Sequence, residues 1–126
     1  MEFHRLSRFQ SPNKVLFGIN SSLKVGKEAS ALGAKRCLIV TDQGVIKAGL
    51  LDGVKESLES EGISVSVFDG VEPDPGTRIA NECGEAAISG NTDLIVGIGG
   101  GSSIDVAKGG ALLATNEGNI VDYLGV

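Results

Sequence analysis

Gly97–Gly109 is the stretch of this chain whose residue types and spacing are best suited to chemistry. It follows the apolar run Leu94-Ile95-Val96 and precedes a helix-like pattern over residues 104–114. Glycine can adopt positive φ and lets a backbone approach a phosphate closely. A helix start adds unpaired N–H groups and the positive end of the helix dipole. The stretch therefore predicts an anion-binding turn, and our hypothesis is that it holds the pyrophosphate of a nucleotide.

Two familiar phosphate motifs do not account for this turn. A P-loop needs a Gly-Lys-Ser/Thr ending, whereas Lys108 lies well inside the predicted helix. The dinucleotide fingerprint G-x-G-x-x-G fits Gly97 and Gly99, but Ser102 occupies its last position. The turn also follows the third core strand pattern rather than the first. A generic glycine match is therefore weak evidence.

A purely structural interpretation of the turn stays open. Ser102 or Ser103 could be the N-cap of the helix, and Asp105 would complete a capping box with Ser102. The successive glycines Gly99–Gly101 fit this interpretation less well, because each costs backbone entropy and one suffices for a tight turn. We therefore favour an anion-binding role.

Two carboxylates could serve the same site. Asp42 ends the apolar strand pattern 36–41, where it could accept hydrogen bonds from both ribose hydroxyls of an adenosine and would repel a 2′-phosphate. Its structural alternative is an Asx-type turn that caps N–H groups around Gln43 and Gly44. Asp74 lies between two prolines on a stiff loop, and is either a cofactor contact or a solvated turn residue.

Composition indicates one globular domain, since the chain has 126 residues, of which 41% are hydrophobic and 21% charged. A net charge of −5 argues against nucleic-acid binding. No apolar run approaches the roughly 20 residues of a membrane span, and no signal-peptide pattern opens the chain, so a cytoplasmic protein is expected. Cys37 and Cys83 are predicted to be reduced core thiols. His4 is the single histidine, so a multi-histidine metal site cannot be built.

Strand patterns alternate with helical patterns along the chain. This order predicts an α/β fold, a Rossmann-like parallel sheet with flanking helices, preceded by a short N-terminal β segment. The predicted core strands are 36–41, 63–68 and 93–98, with the second strand nearer the sheet edge. The predicted helices are 21–34, 45–51, 54–60, 77–89 and 104–115, and Asp52-Gly53 joins the second and third of them. The helix at 104–115 is expected to be covered on both sides, and residues 118–126 to begin a short helix or turn. Right-handed crossovers place the three strand ends on one edge, where ligands of such sheets bind.

Taken together, these segments resemble the iron-containing (group III, metal-dependent) alcohol dehydrogenases. Gly99-Gly100-Gly101-Ser102-x-x-Asp105-x-x-Lys108 is similar to the family's GGGSxxDxxK element. Further segments agree in order and spacing, namely Val15-Leu16-Phe17-Gly18, Leu38-Ile39-Val40-Thr41-Asp42 and 69–75. The resemblance implies that residues 1–126 are the N-terminal NAD(P)-binding domain of a two-domain enzyme. The helical, metal-binding C-terminal domain of that parent would be absent from this chain.

The resemblance also implies roles for single residues. The glycines Gly99–Gly101 and Ser102 would hold the pyrophosphate, and Asp105 would lie near the nicotinamide carboxamide, in one motif with Lys108. Asp42 would contact the adenosine ribose and favour NAD over NADP. Asp74 stands where the family commonly has asparagine, which keeps an acceptor and loses a donor.

The parent would be an NAD(P)-dependent alcohol dehydrogenase acting on a small alcohol or aldehyde. Its iron or zinc would polarise the substrate oxygen while NAD accepts hydride. No catalytic or metal-ligating residue is expected in this chain, so the chain alone should be inactive. Dimerisation through the N-terminal segment is also expected by resemblance. The alternative hypotheses are a glycerol-dehydrogenase-like or dehydroquinate-synthase-like enzyme, and a stand-alone nucleotide-binding module.

Overall fold

In the part of the chain that the structure describes, four parallel strands form a single sheet with helices packed on both faces. The computed structural model describes residues 24–72, 76–116 and 122–125. In chain order the elements are α1 (Val25–Ala31), β1 (Arg36–Val40), α2 (Gln43–Lys47), α3 (Leu50–Glu59), β2 (Ser64–Phe68), α4 (Thr77–Ser89), β3 (Leu94–Gly97), α5 (Gly101–Asn116) and β4 (Asp122–Gly125). The strand order is β2-β1-β3-β4, and every pairing is parallel. The predicted Rossmann-like α/β fold is confirmed.

Strand β1 lies inside the core, because its side chains alternate between two apolar clusters. Cys37 and Ile39 pack into the cluster that includes α1 and α3. Leu38 and Val40 pack into the cluster that includes α4 and α5. A parallel strand buried on both faces has a continuous apolar sequence, as predicted here. Strand β2 has only exposed and half-buried residues and is an edge strand among the described strands, which also agrees with the prediction.

Glycines allow the helices on each face to pack closely. On one face, a Cβ added to Gly110 of α5 would lie 2.5 Å from Cys83 Sγ of α4. A Cβ on Gly84 of α4 would lie 2.9 Å from Leu113 Cβ of α5. On the other face, a Cβ on Gly26 of α1 would overlap the Ser57 carbonyl group of α3. A side chain at any of these positions would therefore force the paired helices apart.

Both cysteines are buried and unpaired, as predicted for core thiols. Burial raises the pKa of Cys83 to about 12, because the thiolate would lose its hydration. Burial also raises the pKa of Cys37 strongly, with a further contribution from the nearby carboxylate of Asp93. Both groups therefore remain thiols near neutral pH and behave as small apolar side chains.

Some helix boundaries differ from the prediction. The joint between α2 and α3 lies at Ala48-Gly49 rather than at Asp52-Gly53. Gly49 has φ of 77°, which a glycine adopts readily, so the chain changes direction there. Helix α1 ends at Ala31 instead of extending to Ala34, because Gly33 has φ of 81°.

The C-terminal predictions also need correction. Residues 122–125 form strand β4, parallel to β3, where a helix or turn was predicted. Helix α5 was predicted to be covered on both sides, yet Leu112 is 56% exposed. Helix α4 and the sheet cover the inner face of α5, and the described residues leave its outer face open.

Several predictions fall on residues outside those that the structure describes. These are the N-terminal β segment at 15–18, the helix-capping serines Ser21 and Ser22, His4 and Asp74. Dimerisation through the N-terminal segment accordingly stays a prediction. Within the described residues, no helix is long and apolar enough to cross a membrane.

Replacing Gly26 with alanine is expected to lower the free energy of unfolding by about 1–3 kcal/mol, the usual cost of overpacking. The added Cβ would overlap the Ser57 carbonyl oxygen and lie 2.6 Å from its carbonyl carbon, so α1 and α3 must separate. The Gly26 amide would also strain its 2.9 Å hydrogen bond to Ser57 Oγ. Urea denaturation of the variant and the unmodified chain measures the difference.

Gly76→Ala is the matched control for this substitution. Gly76 has φ of −89°, and a Cβ there meets nothing within 4 Å. Gly76→Ala should lower the free energy of unfolding by less than about 1 kcal/mol, since only an N-cap position changes. Equal destabilisation by Gly26→Ala and Gly76→Ala would contradict the close packing of α1 on α3.

Candidate functional site

The strand order creates a crevice between the carboxyl ends of β1 and β3. From β1 the chain continues to β2 on one side, and from β3 it continues to β4 on the other. Neighbouring parallel strands whose connections diverge in this way mark the place where open α/β sheets bind ligands. Asp42 follows β1 at this place, and Gly99 follows β3. The two candidate cofactor-binding segments are therefore neighbours.

Buried hydrogen bonds hold the three loops at this edge. Thr41 Oγ1 donates to the Ile98 carbonyl at 3.0 Å, and the Ile98 amide donates to the Val40 carbonyl at 2.9 Å. The Thr41 amide donates to the Phe68 carbonyl at 3.0 Å, which joins the loop after β1 to the end of β2. Thr41 is fully buried, so its hydroxyl would be costly to leave without a partner.

Asp42 connects two helix starts through its carboxylate. Its Oδ1 accepts a hydrogen bond from the Val45 amide at 2.9 Å and caps α2. Its Oδ2 accepts a longer hydrogen bond from Ser103 Oγ of α5 at 3.3 Å. The structural interpretation of Asp42 as a cap is therefore confirmed. A carboxylate has about four acceptor positions, so these contacts leave capacity for a ligand hydroxyl.

Gly99 lets the loop after β3 approach Asp42. It has φ of 134°, a conformation that favours glycine. A Cβ there would lie 2.9 Å from Ser103 Oγ and 3.2 Å from Asp42 Oδ2. A side chain at this position would thus strain the backbone and crowd the contact between the two segments.

Helix α5 begins at Gly101, three residues earlier than predicted, and this changes the interpretation of the serines. Its first helical hydrogen bond runs from the Ile104 amide to the Gly100 carbonyl at 3.2 Å. Ser102 and Ser103 therefore lie inside the first turn, and the structural alternative of a capping box between Ser102 and Asp105 is wrong. The amides of Gly101, Ser102 and Ser103 precede the helical ladder, as anion-binding amides at helix starts do.

The backbone at this helix start is open to a ligand. A Cβ placed on Gly100 or on Gly101 would meet nothing within 4 Å. The cavity beside it has a volume of about 460 Å³ and is lined by residues of all three loops: Asp42, Gln43, Gly44, Val71, Glu72, Gly100, Gly101 and Ser102. This volume lies within the roughly 300–1,000 Å³ of typical small-molecule sites. The three strand-end loops thus meet at one cavity of the size of a small-molecule site.

Carboxylates and backbone amides give the cavity its polar character. Asp42 and Glu72 line it, and the described lining residues include no lysine or arginine. Arg78, in the first turn of α4, lies 3.9 Å from Glu72. Both side chains are exposed to solvent, so this ion pair contributes little to stability. A bound phosphate would therefore depend on the amides at the start of α5. A phosphate group in contact with the Asp42 carboxylate, such as a 2′-phosphate on a ribose, would be repelled.

Not every predicted site residue reaches the cavity. Asp105 and Lys108 are exposed on α5, about one and two turns beyond Gly101, and do not line it. Asp74 lies outside the described residues, so its contact stays a prediction.

Ser103 and Glu72 were given no binding role in the sequence interpretation. Ser103 was considered only as a helix cap. The helical periodicity of α5 could have indicated that Ser103 is buried, because its spacing places it on the same face as the buried residues Val106, Ala107 and Gly110. Glu72 lines the cavity from the loop after β2, which the predicted fold places at this edge, but the side chain of Glu72 was assigned no role.

The described residues offer no metal centre. No group of three or more histidine, cysteine, aspartate or glutamate side chains among residues 24–72, 76–116 and 122–125 could hold a metal ion. The acidic pair at the cavity therefore has no third ligand in that part of the chain. A metal-dependent step cannot be assigned to these residues.

Comparison with known proteins establishes the family. The family model described as iron-containing alcohol dehydrogenase matches residues 12–126. The chain belongs to the iron-containing alcohol dehydrogenase family. The resemblance carried by the glycine-rich motif is thereby confirmed.

Three relatives illustrate the range of this family. The chain is 47% identical over 121 residues to alcohol dehydrogenase 4 of Schizosaccharomyces pombe, an alignment that covers 96% of the chain and 29% of that protein. It is 44% identical over 115 residues to choline dehydrogenase of Bacillus subtilis, covering 91% and 29%. The crystal structure of NADH-dependent butanol dehydrogenase A from Thermotoga maritima superposes with a TM-score of 0.80 at 28% identity, covering 99% of the chain and 33% of that structure. The chain therefore spans about a third of the length of these relatives.

Gly99→Ala is expected to lower the free energy of unfolding by about 1–3 kcal/mol, because φ of 134° is strained for alanine. Gly100→Ala is the matched control, since it changes the adjacent glycine and its Cβ meets nothing within 4 Å. That control should cost less than about 1 kcal/mol. Thermal or urea unfolding of the two variants makes the comparison, and equal losses would show that the Gly99 backbone is not the constraint.

Proposed function

We propose that this chain is the cofactor-binding portion of an NAD-dependent alcohol dehydrogenase. The observation that supports this most directly is the position of Asp42 beside the amides that open α5. An adenosine diphosphate group has a ribose with two hydroxyls close to a pyrophosphate. One carboxylate next to one helix start is complementary to both features.

Different residues of the cavity would bind different parts of the cofactor. The carboxylate of Asp42 accepts hydrogen bonds from the adenosine ribose. The amides of Gly101 and Ser102 donate to the pyrophosphate, and Gly100 lets the backbone come close because no atom lies where its Cβ would be. Gly99 does not line the cavity and contributes by bringing this loop beside Asp42. The helix dipole of α5 adds a favourable potential at the same point. When bound, NAD supplies the acceptor for the hydride.

Asp105 and Lys108 have a different place in this proposal. Both lie on the outer face of α5, which the described residues leave exposed, and Leu112 extends the same face. This face continues away from the pyrophosphate position along the helix. We assign Asp105 to the nicotinamide end of the cofactor, with Lys108 one turn further along.

The charges of the cavity support NAD over NADP. The 2′-phosphate of NADP would approach Asp42, and Glu72 lies in the same cavity. Like charges in contact oppose binding, and the described lining residues provide no cation to offset them. Selectivity for NAD therefore follows from repulsion as much as from hydrogen bonding.

Metal and substrate are assigned to the part of the enzyme that these relatives have beyond the matched third. The described residues hold no metal centre, so iron or zinc would be bound elsewhere in the enzyme. The relatives are named for different substrates, choline and butanol among them. We therefore propose a small alcohol or aldehyde and assign no single compound. Family membership favours this hypothesis over a synthase or a stand-alone module.

Asp42→Asn is expected to lower the preference for NAD over NADP by about one to two decades, or 1–3 kcal/mol. Asparagine keeps an acceptor oxygen for the Val45 amide, so α2 stays capped while the negative charge is lost. The ratio of the two dissociation constants is measured by titrating each cofactor into the labelled chain and following amide chemical shifts, which detects weak binding.

Asp52→Asn is the matched control for this charge change. Asp52 is exposed in the first turn of α3 and does not line the cavity, so its variant should keep the original ratio. An unchanged ratio in Asp42→Asn would overturn the ribose role of Asp42.

A further inference from the structure

We propose that Ser103 is a positioning residue that orients the Asp42 carboxylate toward the 2′-hydroxyl of the adenosine ribose. This inference rests on the proposed function, because it gives Ser103 a task only if Asp42 binds the ribose. Ser103 does not line the cavity and would not touch the cofactor. Its contribution to cofactor recognition passes through Asp42.

Two contacts from different elements fix the carboxylate of Asp42. The Val45 amide of α2 holds Oδ1 at 2.9 Å, but one contact leaves the carboxylate free to tilt about that oxygen. The Ser103 hydroxyl of α5 donates to Oδ2 at 3.3 Å and limits that freedom. Because Asp42 and Ser103 are 61 residues apart in sequence, this contact exists only in the folded crevice.

The burial of Ser103 gives its hydroxyl a strong need for a partner. Ser103 is fully buried on the face of α5 that also carries Val106 and Ala107. A hydroxyl without a hydrogen bond in such surroundings loses its interaction with water and gains nothing in return. In the structure, the Asp42 carboxylate is its acceptor. The Ser103 hydroxyl therefore keeps its hydrogen bond to Asp42, because leaving a buried hydroxyl without a partner is unfavourable.

The length of the contact leaves Asp42 available to a ligand. Hydroxyl-to-oxygen hydrogen bonds are usually about 2.7–2.8 Å long, so 3.3 Å is a weak one. Oδ2 accordingly retains most of its acceptor strength for a ribose hydroxyl. The Ser103 contact sets the direction of the carboxylate without saturating it.

Gly99 makes this arrangement sterically feasible. The space beside Ser103 Oγ and Asp42 Oδ2 is the space that a Cβ at Gly99 would enter, at 2.9 and 3.2 Å. The segment that approaches the pyrophosphate thus also encloses the pair that faces the ribose. Through Ser103, the start of α5 and the end of β1 keep a constant relative position. Two parts of one nucleotide would therefore meet a preorganised site.

The test compares NAD with its analogue that has 2′-deoxyribose on the adenosine side. Each compound is titrated into the chain and followed by amide chemical shifts. In the unmodified chain we expect NAD to bind about tenfold more tightly, as for loss of one hydrogen bond to a charged group. In Ser103→Ala this ratio should fall about threefold or more, because NAD binding weakens while binding of the deoxy analogue is unchanged.

Three further variants sharpen this test. Ser103→Cys keeps an atom at the γ position but is only a weak donor, so it should also lower the ratio. A fall in both variants separates loss of the hydrogen bond from loss of a packed atom. In the Asp42→Asn background, Ser103→Ala should have no further effect on the ratio. Ser89→Ala removes an exposed hydroxyl at the end of α4 and should leave the ratio unchanged.

The outcomes distinguish this inference from the proposed function. A ratio near one in the unmodified chain would overturn the ribose role of Asp42 and the inference with it. A tenfold ratio that persists in folded Ser103→Ala and Ser103→Cys would overturn the inference alone. Equal weakening of both compounds by Ser103→Ala would also overturn it, since that result indicates a general structural role.

Discussion

The pairing of β1 with β3 at their carboxyl ends is the constraint on which the candidate site depends. In this register Val40 lies opposite Gly97, so the chain turns out of both strands at the same level. Thr41 and Ile98 extend the pairing by one buried side-chain hydrogen bond and one backbone hydrogen bond. Asp42 and Gly99 follow at once on either side. A slip of one residue would move every side chain of β3 to the opposite face and separate these two residues.

Helix packing on both faces maintains that register. Glycines bring α4 close to α5 and α1 close to α3, and apolar side chains from both layers bury the sheet between them. Because α5 starts directly in the cavity, its position on the sheet also determines where its first amides point. The contact of Ser103 with Asp42 connects this helix to α2 across the crevice. The geometry of the site is therefore a consequence of the same packing that stabilises the fold.

Local sequence predicted what depends on local physics. Apolar runs and turn residues placed β1, β2, α4 and β3 within a residue or two. The alternation of strands and helices predicted a parallel sheet with the strand ends on one edge, which the structure has. The α2–α3 joint was misplaced because Gly53 is tolerated inside a helix, and Asp52 is favoured in a first turn. Strand β4 was missed because its four residues depend on pairing with β3 rather than on β-propensity. Ser103 was misinterpreted for the same reason, since its partner lies 61 residues away.

The position of a bound nucleotide tests the central claim most directly. Amide chemical-shift mapping of the chain with ADP-ribose should perturb residues 42–44, 71–72 and 99–103 most strongly, with small changes elsewhere. A second cavity of about 350 Å³ lies between α1 and α3, lined by Lys27 and Glu56 among others, and provides the comparison. Largest shifts at that cavity, or shifts spread evenly over the surface, would contradict the assignment of the β1–β3 crevice as the cofactor site.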